Sequence, residues 1–185
     1  PGQKEPQLTT HFAGRVRLVA EAPKGEKLKL DSTRPASAVV AADIYKVYFH
    51  GPAYQVLEAA SRTGHTAIGL MAHGLPPNHV PAESPLSVAP RLVEFCFQAA
   101  GVHEMGTTGK MGLPNHVARV RSLKAPEAAA GKRLYAVVSP VSGGTYDVRV
   151  VDEAGQVYVV LEGYRTVELG PVDEASLAPF RSAMQ

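Results

Sequence analysis

A glutamate and a glutamine four residues apart carry the chemistry that the sequence makes most visible. Glu94 and Gln98 lie in the segment PRLVEFCFQAAGVH, and Gly101 follows seven residues after Glu94. Residues spaced by four and by seven share one face of an α-helix, so the Gln98 amide is placed to hydrogen bond to the Glu94 carboxyl group. An apolar pocket favours the neutral form of a carboxyl group. We therefore predict Glu94 as a catalytic proton donor and Gln98 as its catalytic partner.

The same spacing fits an ordinary helix surface equally well. Glu94 can point to solvent at the edge of the helix, or it can pair with Arg91 one turn earlier. A carboxylate is buried only at high cost unless it is hydrogen-bonded, paired or protonated. Spacing alone leaves the catalytic and the surface interpretations open.

Composition excludes several classes of function. The chain has 185 residues, 45% of them hydrophobic, which predicts a compact domain with a real core. The net charge of +2 comes from balanced charges, so we expect no nucleic-acid partner. No apolar run of membrane length and no signal sequence occur, which predicts a cytoplasmic protein without a membrane partner. One cysteine, Cys96, excludes an internal disulfide, and no cluster has metal-ligand spacing.

One helix amid many strands is the architecture that the hydrophobic pattern predicts. The segment from Pro90 to about His103 is apolar on nearly every side, which is typical of a buried helix. Most of the remaining chain shows strand-like alternation. The predicted strands include residues 54–63, 65–73, 116–125, 133–141, 145–152 and 156–169, with a hairpin turn at 152–155. We therefore predict an α+β fold, an antiparallel sheet wrapped around one central helix.

Three segments are predicted along the chain. Residues 1–40 read as an amino-terminal strand, over roughly 9–19, followed by a linker rich in charge, Pro and Gly. Residues 41–170 form the main domain, which starts with a short helix. Residues 171–185 read as a carboxy-terminal helix or tail.

Two motifs resemble acyl-thioester dehydratases. PRLVEFCFQAAG resembles the central-helix motif of the 3-hydroxyacyl-carrier-protein dehydratases of fatty-acid synthesis, with Pro90, Glu94 and Gln98 at matching positions. IYKVYFHGPAYQVL, residues 44–57, resembles the Tyr-Gly-Pro-x-Phe segment that opens the second, carboxy-terminal hotdog of polyketide synthase dehydratase domains. Two residues match that segment and two replace the usual aromatic residues. The matches are Gly51 and Pro52, His50 stands for the usual Tyr, and Tyr54 stands for the usual Phe.

The resemblance implies a hotdog fold over about residues 9–170 and a dehydration reaction. Glu94 would protonate the departing hydroxyl group of a 3-hydroxyacyl thioester, Gln98 would orient it, and the product would be a trans-2-enoyl thioester. The substrate would arrive on the phosphopantetheine arm of an acyl carrier protein, with no other cofactor. The residues implied for substrate binding are His50, Gly51, Pro52, Tyr54 and Pro90.

The catalytic base of that family is not found in this sequence. The His-x-x-x-Gly-x-x-x-x-Pro motif, which supplies the base in the first hotdog, fits none of the seven histidines. We therefore expect either a His-bearing hotdog half or a homodimer partner. Two other functions stay open: a non-catalytic hotdog that binds acyl chains or holds a synthase dimer together, and a hotdog thioesterase.

Overall fold

A curled antiparallel sheet wrapped around one long helix forms the body of the protein. The computed structural model describes residues 9–21, 23–30, 37–78, 81 and 86–185. The helices within these residues are α1 (Ala41–Val47), α2 (Pro90–Thr108) and α3 (Glu174–Met184). The strands are β1 (Val39–Val40), β2 (Leu57–Thr63), β3 (Thr66–Met71), β4 (Lys110–His116), β5 (Arg119–Ser122), β6 (Leu134–Val141), β7 (Thr145–Asp152) and β8 (Val157–Pro171).

The strands of the described residues form one antiparallel sheet in the order β1-β2-β3-β6-β7-β8-β4, and β5 also pairs with β8. β8 can serve three neighbours because it is 15 residues long: its first part pairs with β7 and β5, and its last part pairs with β4. Alternation predicted most of these strands. In β7, Tyr146, Val148 and Val150 are buried on the helix side, as their spacing of two requires.

The central helix α2 has the start and the end that its sequence predicts. Pro90 occupies the first turn, where a missing N–H costs nothing. Gly109 ends the helix in a left-handed conformation with φ 75°, and its N–H bonds to the Met105 carbonyl at 2.9 Å. Buried side chains occur on all sides of α2, because the sheet covers one side and α3 covers the other. This confirms the prediction of an enclosed helix.

The strand predicted for residues 9–19 is not formed, and this is a correction. These residues have no ladder partner in the part of the chain that is described, and Phe12 is 95% exposed. Alternation of apolar and polar residues predicts only which side chains would share a face. A strand also needs a neighbouring strand that pairs with its backbone N–H and C=O groups. Residues 1–8, also assigned to the amino-terminal segment, lie outside the described residues.

The carboxy-terminal helix α3 packs against α2. Leu177, Phe180 and Met184 are buried in the same core as the central helix. Asp173 caps α3 by accepting a hydrogen bond from Ser176 N at 2.9 Å. The division of the chain at residues 40 and 170 stays a prediction. Within the described residues, no helix is long and apolar enough to span a bilayer.

The β7–β8 hairpin is closed by the buried carboxylate of Asp152. Its Oδ1 accepts hydrogen bonds from Ala154 N at 3.0 Å and Gln156 N at 2.9 Å, and its Oδ2 accepts one from the Tyr158 hydroxyl at 3.0 Å. Burial by itself would raise the pKa of Asp152, but these three hydrogen bonds outweigh it and lower the pKa. The turn therefore depends on an ionised side chain.

Replacing Asp152 should weaken the fold in a pH-dependent way. Asp152→Ala leaves the Tyr158 hydroxyl and two backbone N–H groups without their acceptor, so we expect a loss of about 2–3 kcal/mol in unfolding free energy at pH 7. Because the pKa is lowered in the folded state, this contribution is present above the unfolded value and is lost as the pH falls through the folded value.

Urea unfolding of both proteins between pH 7 and pH 3 measures this difference. The difference in unfolding free energy between wild type and Asp152→Ala should decrease below about pH 4. Glu153→Ala, in the same turn but exposed, is the matched control and should stay within about 0.5 kcal/mol of wild type. A gap that does not change with pH would contradict the role of the ionised carboxylate.

Candidate active site

The structure places His50 directly against Glu94. His50 Nε2 lies 2.9 Å from Glu94 Oε1, and Gln98 Nε2 donates to the same oxygen at 3.0 Å. The side chains of His50 and Glu94 are 19% and 23% exposed. The carboxyl group is therefore held by two partners at a place that still reaches the surface, which is the arrangement that a proton donor for a bound molecule needs.

Gln98 is the buried anchor of this group. It is 2% exposed, so its amide needs partners within the protein. The Tyr45 hydroxyl donates to Gln98 Oε1 at 2.8 Å, and Gln98 Nε2 also donates to the Tyr54 carbonyl at 2.8 Å. Tyr45 in turn accepts a hydrogen bond from Leu57 N at 2.8 Å. The predicted Glu94–Gln98 hydrogen bond on one face of α2 is present in the structure, and the amide behind it is fully satisfied.

The segment between α1 and β2 brings His50 over α2. Gly51 precedes a 3₁₀ turn that begins at Pro52, and the Gln55 side chain donates to the His50 carbonyl at 3.1 Å. The imidazole ring stacks on Phe49, with centroids 5.1 Å apart and planes at 10°, and meets the edge of the Tyr48 ring at 5.4 Å. The His-Gly-Pro turn therefore fixes both the position and the plane of the imidazole.

Burial keeps the other titratable groups around Glu94 and His50 protonated. It raises the pKa of the Tyr45 and Tyr48 hydroxyls and of the Cys96 thiol well above their ordinary values, and the charge of Glu94 adds to each shift. Cys96 is fully buried and donates to the Leu92 carbonyl at 3.2 Å, so it is a core thiol. Cys96 and the two tyrosine hydroxyls are therefore not candidates for proton transfer, which leaves Glu94 and His50 as the candidates among the described residues of this site.

Arg91 forms no ion pair with Glu94, so the pairing that the spacing left open is not formed. Its guanidinium lies 6.0 Å from the centroid of the Tyr54 ring and donates a hydrogen bond to the Pro76 carbonyl. Arg91 also lines a cleft of about 420 Å³ at the start of α2, one turn before Glu94. Leu92, Leu134, His73 and Lys132 form other parts of its wall. Pro90 starts the helix beside this cleft, and its substrate-binding role, like those of His50, Gly51, Pro52 and Tyr54, stays a prediction.

The other described histidines lie away from Glu94. His103 is buried nine residues further along α2, on the opposite side of the helix, with its ring edge-on to Tyr146 at 5.7 Å. Burial, with a contribution from Arg62, lowers the pKa of His103. The exposed histidines of the described residues are His11, His65, His73 and His116, whereas His79 lies outside them. No group of three or more metal-ligating side chains occurs in the described residues.

Comparison with known proteins identifies what this chain resembles. The family model described as the polyketide synthase dehydratase N-terminal domain matches residues 23–175. No curated protein sequence matches the chain. The description of the model names an amino-terminal domain, whereas the motifs predict the carboxy-terminal hotdog, so the position within a double hotdog stays a prediction.

Solved dehydratase domains share the fold. The dehydratase domain from the CurF module of curacin polyketide synthase has a TM-score of 0.61 and 20% identity, over 78% of this chain and 54% of that chain. A trans-AT polyketide synthase dehydratase domain from Brevibacillus brevis has a TM-score of 0.61 and 19% identity, over 78% of this chain and 55% of that chain. The dehydratase domain of MlnD from Bacillus amyloliquefaciens has a TM-score of 0.59 and 17% identity, over 80% of this chain and 55% of that chain. The α+β hotdog prediction is confirmed, and the chain spans about half the length of these structures.

Gly101 makes room for the tyrosine that packs against His50. The Tyr48 hydroxyl donates to the Gln98 carbonyl at 3.2 Å, and a methyl group on Gly101 would collide with that hydroxyl. Gly101→Ala should therefore destabilise the protein by about 1–3 kcal/mol, although alanine is the better helix former. The measurement is the unfolding free energy in urea.

The double variant Gly101→Ala/Tyr48→Phe tests the reason. Without the Tyr48 hydroxyl the methyl group of Ala at position 101 has space. The double variant should therefore have a higher unfolding free energy than Gly101→Ala alone. Simple addition of the two single effects would show that Gly101 and Tyr48 are not coupled.

Proposed function

Because the chain belongs to the polyketide synthase dehydratase family, we propose that it forms the acid-bearing half of a dehydratase acting on 3-hydroxyacyl thioesters. Its product is a trans-2-enoyl thioester. The observation that carries this proposal is the Glu94 carboxyl group, which is held by Gln98 and His50 and still partly exposed. That acid-bearing hotdog is the carboxy-terminal one of a double hotdog.

The reaction requires one base and one acid on the same substrate. A base takes the proton from the carbon next to the thioester, and the electron pair of that C–H bond forms the new double bond. The bond between the next carbon and its oxygen breaks, and Glu94 gives its proton to that oxygen, which leaves as water. A carboxyl group fixed at one oxygen is suited to this role because its other oxygen can face the hydroxyl group.

The base comes from a second unit. His50 already contacts Glu94, and His103 is buried on the other side of α2. The chain spans about half the length of the dehydratase domains that it matches. Residues 9–19 carry exposed apolar side chains at Phe12, Val16 and Leu18, which favours a neighbour on that side. The partner is therefore a His-bearing hotdog half, or a second copy of this chain.

The substrate reaches the site on a carrier. An acyl carrier protein presents the thioester on its phosphopantetheine arm, and no further cofactor takes part. The setting is a polyketide or polyunsaturated fatty-acid type synthase in the cytoplasm. Chemistry of this kind needs only proton transfer, which Glu94 and a partner base supply.

Glu94→Gln tests the proposal directly. The variant keeps the size and the hydrogen bonds of the side chain but has no proton to give, so we expect dehydration to fall by at least about 10²-fold. The assay combines the chain with a hotdog half that carries the His-x-x-x-Gly-x-x-x-x-Pro motif. It follows enoyl absorbance and free thiol with the N-acetylcysteamine thioester of 3-hydroxybutyrate and with the same acyl group on a carrier protein.

Glu104→Gln is the matched control on the same helix. Glu104 is a second partly buried carboxyl group, and burial raises its pKa. It accepts a hydrogen bond from the Thr166 hydroxyl and contacts neither His50 nor Gln98. This variant should keep wild-type dehydration. Full activity of Glu94→Gln would refute the assignment, free thiol without enoyl product would indicate a thioesterase, and binding without either product would indicate an acyl-binding hotdog.

A further inference from the structure

We propose that protonation of the buried His103 ring releases the carboxy-terminal helix α3 from the central helix α2. This release does not depend on the dehydratase function, because His103 lies nine residues after Glu94 and therefore on the opposite side of α2. The family model ends at residue 175, so nearly all of α3 (Glu174–Met184) lies beyond the residues that it matches. α3 is thus an element that the family match does not cover.

His103 occupies a place that suits a neutral imidazole and not a charged one. The residue is 6% exposed, and its Nδ1 is buried without a hydrogen-bond partner among the described residues. A charged imidazole carries an N–H on both ring nitrogens, so protonation always places a donor at Nδ1. A buried donor without an acceptor is costly. The surroundings of the ring therefore oppose its protonation while the fold stays closed.

Arg62 of β2 links the surroundings of His103 to the end of α3. Its Nη1 donates to the Met184 carbonyl at 3.0 Å, and its Nε donates to the Gly64 carbonyl at 2.9 Å. After burial, the positive charge of Arg62 is the second cause of the lowered pKa of His103. A charge on the ring would repel the same guanidinium that holds the last turn of α3.

α2 and α3 meet in close contact one turn after His103. A methyl group on Gly106 would collide with the Met184 side chain and with the Phe180 carbonyl. Residues three apart are neighbours on a helix surface, so His103 borders this contact. A shift of the ring or of Arg62 therefore acts on the place where the end of α3 packs against α2.

α3 depends on this packing for its stability. It has 11 residues, and isolated helices shorter than about 12–15 residues are marginal in water. Pro179 in its interior removes one helical hydrogen bond. Burial of Leu177, Phe180 and Met184 in the core holds the helix in place. Loss of that contact should therefore release α3 as a unit, whereas α2 is still enclosed by the sheet.

The elements around the ring carry other ionisable groups. Burial raises the pKa of the Tyr146 hydroxyl of β7 to about 12, so this group stays neutral. On α3, Arg181 bonds to Glu174 at 2.9 Å in an exposed pair. β3 and β6 face α2 with apolar side chains such as Ala136. Burial raises the pKa of Glu104, the next residue of α2, so this carboxyl group needs a control.

Amide hydrogen exchange measured by NMR at pH 7.5 and pH 5.5 tests the release, with rates corrected for intrinsic exchange. A histidine whose pKa is lowered in the folded state stabilises that state above its unfolded pKa, and this contribution is lost as the pH falls from the unfolded to the folded value. The opening of α3, read from the amides of Leu177, Phe180 and Met184, should increase at least about threefold at pH 5.5. Amides of α2 and β7 should keep their protection.

Three variants identify the group that is responsible. His103→Gln has a side chain that stays neutral, so its α3 should open equally at both pH values. His65→Gln, in the exposed β2–β3 turn, and Glu104→Gln should respond like wild type. An increase that persists in His103→Gln or disappears in Glu104→Gln would overturn the proposal. No increase in wild type, or an equal loss of protection throughout the chain, would overturn it as well.

The NMR titration of the His103 ring in wild type gives a test that needs no variant. Its midpoint should lie below the ordinary histidine value of about 6.5. Such a midpoint, together with selective opening of α3, supports the proposal even if His103→Gln does not fold. A midpoint at or above the ordinary value would overturn it, because the fold would then favour the charged ring.

Discussion

The buried amide of Gln98 is the constraint around which the site is built. An amide that is 2% exposed must find partners inside the protein, and these come from three different segments. Tyr45 belongs to α1, Tyr54 to the turn after it, and Glu94 to α2 itself. The bonds to Tyr45 and Tyr54 each hold one segment against the helix, so this polar network fixes the site in the way that apolar packing fixes the rest of the core. The carboxyl group is the one member of the network that is left partly open to solvent.

The hotdog architecture explains why a polar group can be maintained at this place. α2 is enclosed by the sheet on one side and by α3 on the other, so most of its surface is satisfied by apolar contact. The segment from α1 to β2 covers the remaining face, and a His-Gly-Pro turn there can be held rigidly without being part of a ladder. The candidate site therefore lies at the boundary between the central helix and this turn.

The sequence predicted the structure well where buried residues recur at a regular spacing or where a residue type marks the end of a helix. The burial of β7 and the two ends of α2 follow from spacing, from Pro90 and from Gly109. β4 escaped prediction because Lys110–His116 contains Gly112 and Pro114 and lacks alternation; pairing with the long strand β8 makes it a strand. Residues 9–19 show the opposite failure, since their alternation is regular but no neighbour is present in the described chain. Periodicity reports which face would be buried, and pairing decides whether the strand exists.

The contact between His50 and Glu94 shows a further limit of the same kind. Spacing along one helix is enough to join Glu94 to Gln98, so that hydrogen bond could be predicted. His50 reaches Glu94 only through the path of the chain from α1 through the turn, and no periodic rule fixes that path. Tyr45 in the last turn of α1 and Tyr48 at its carboxy-terminal cap are the available signal, because both hydroxyl groups just before His-Gly-Pro bond to Gln98 of α2. Local rules therefore predict the hydrogen bond between Glu94 and Gln98, whereas the contact from His50 follows from tertiary structure.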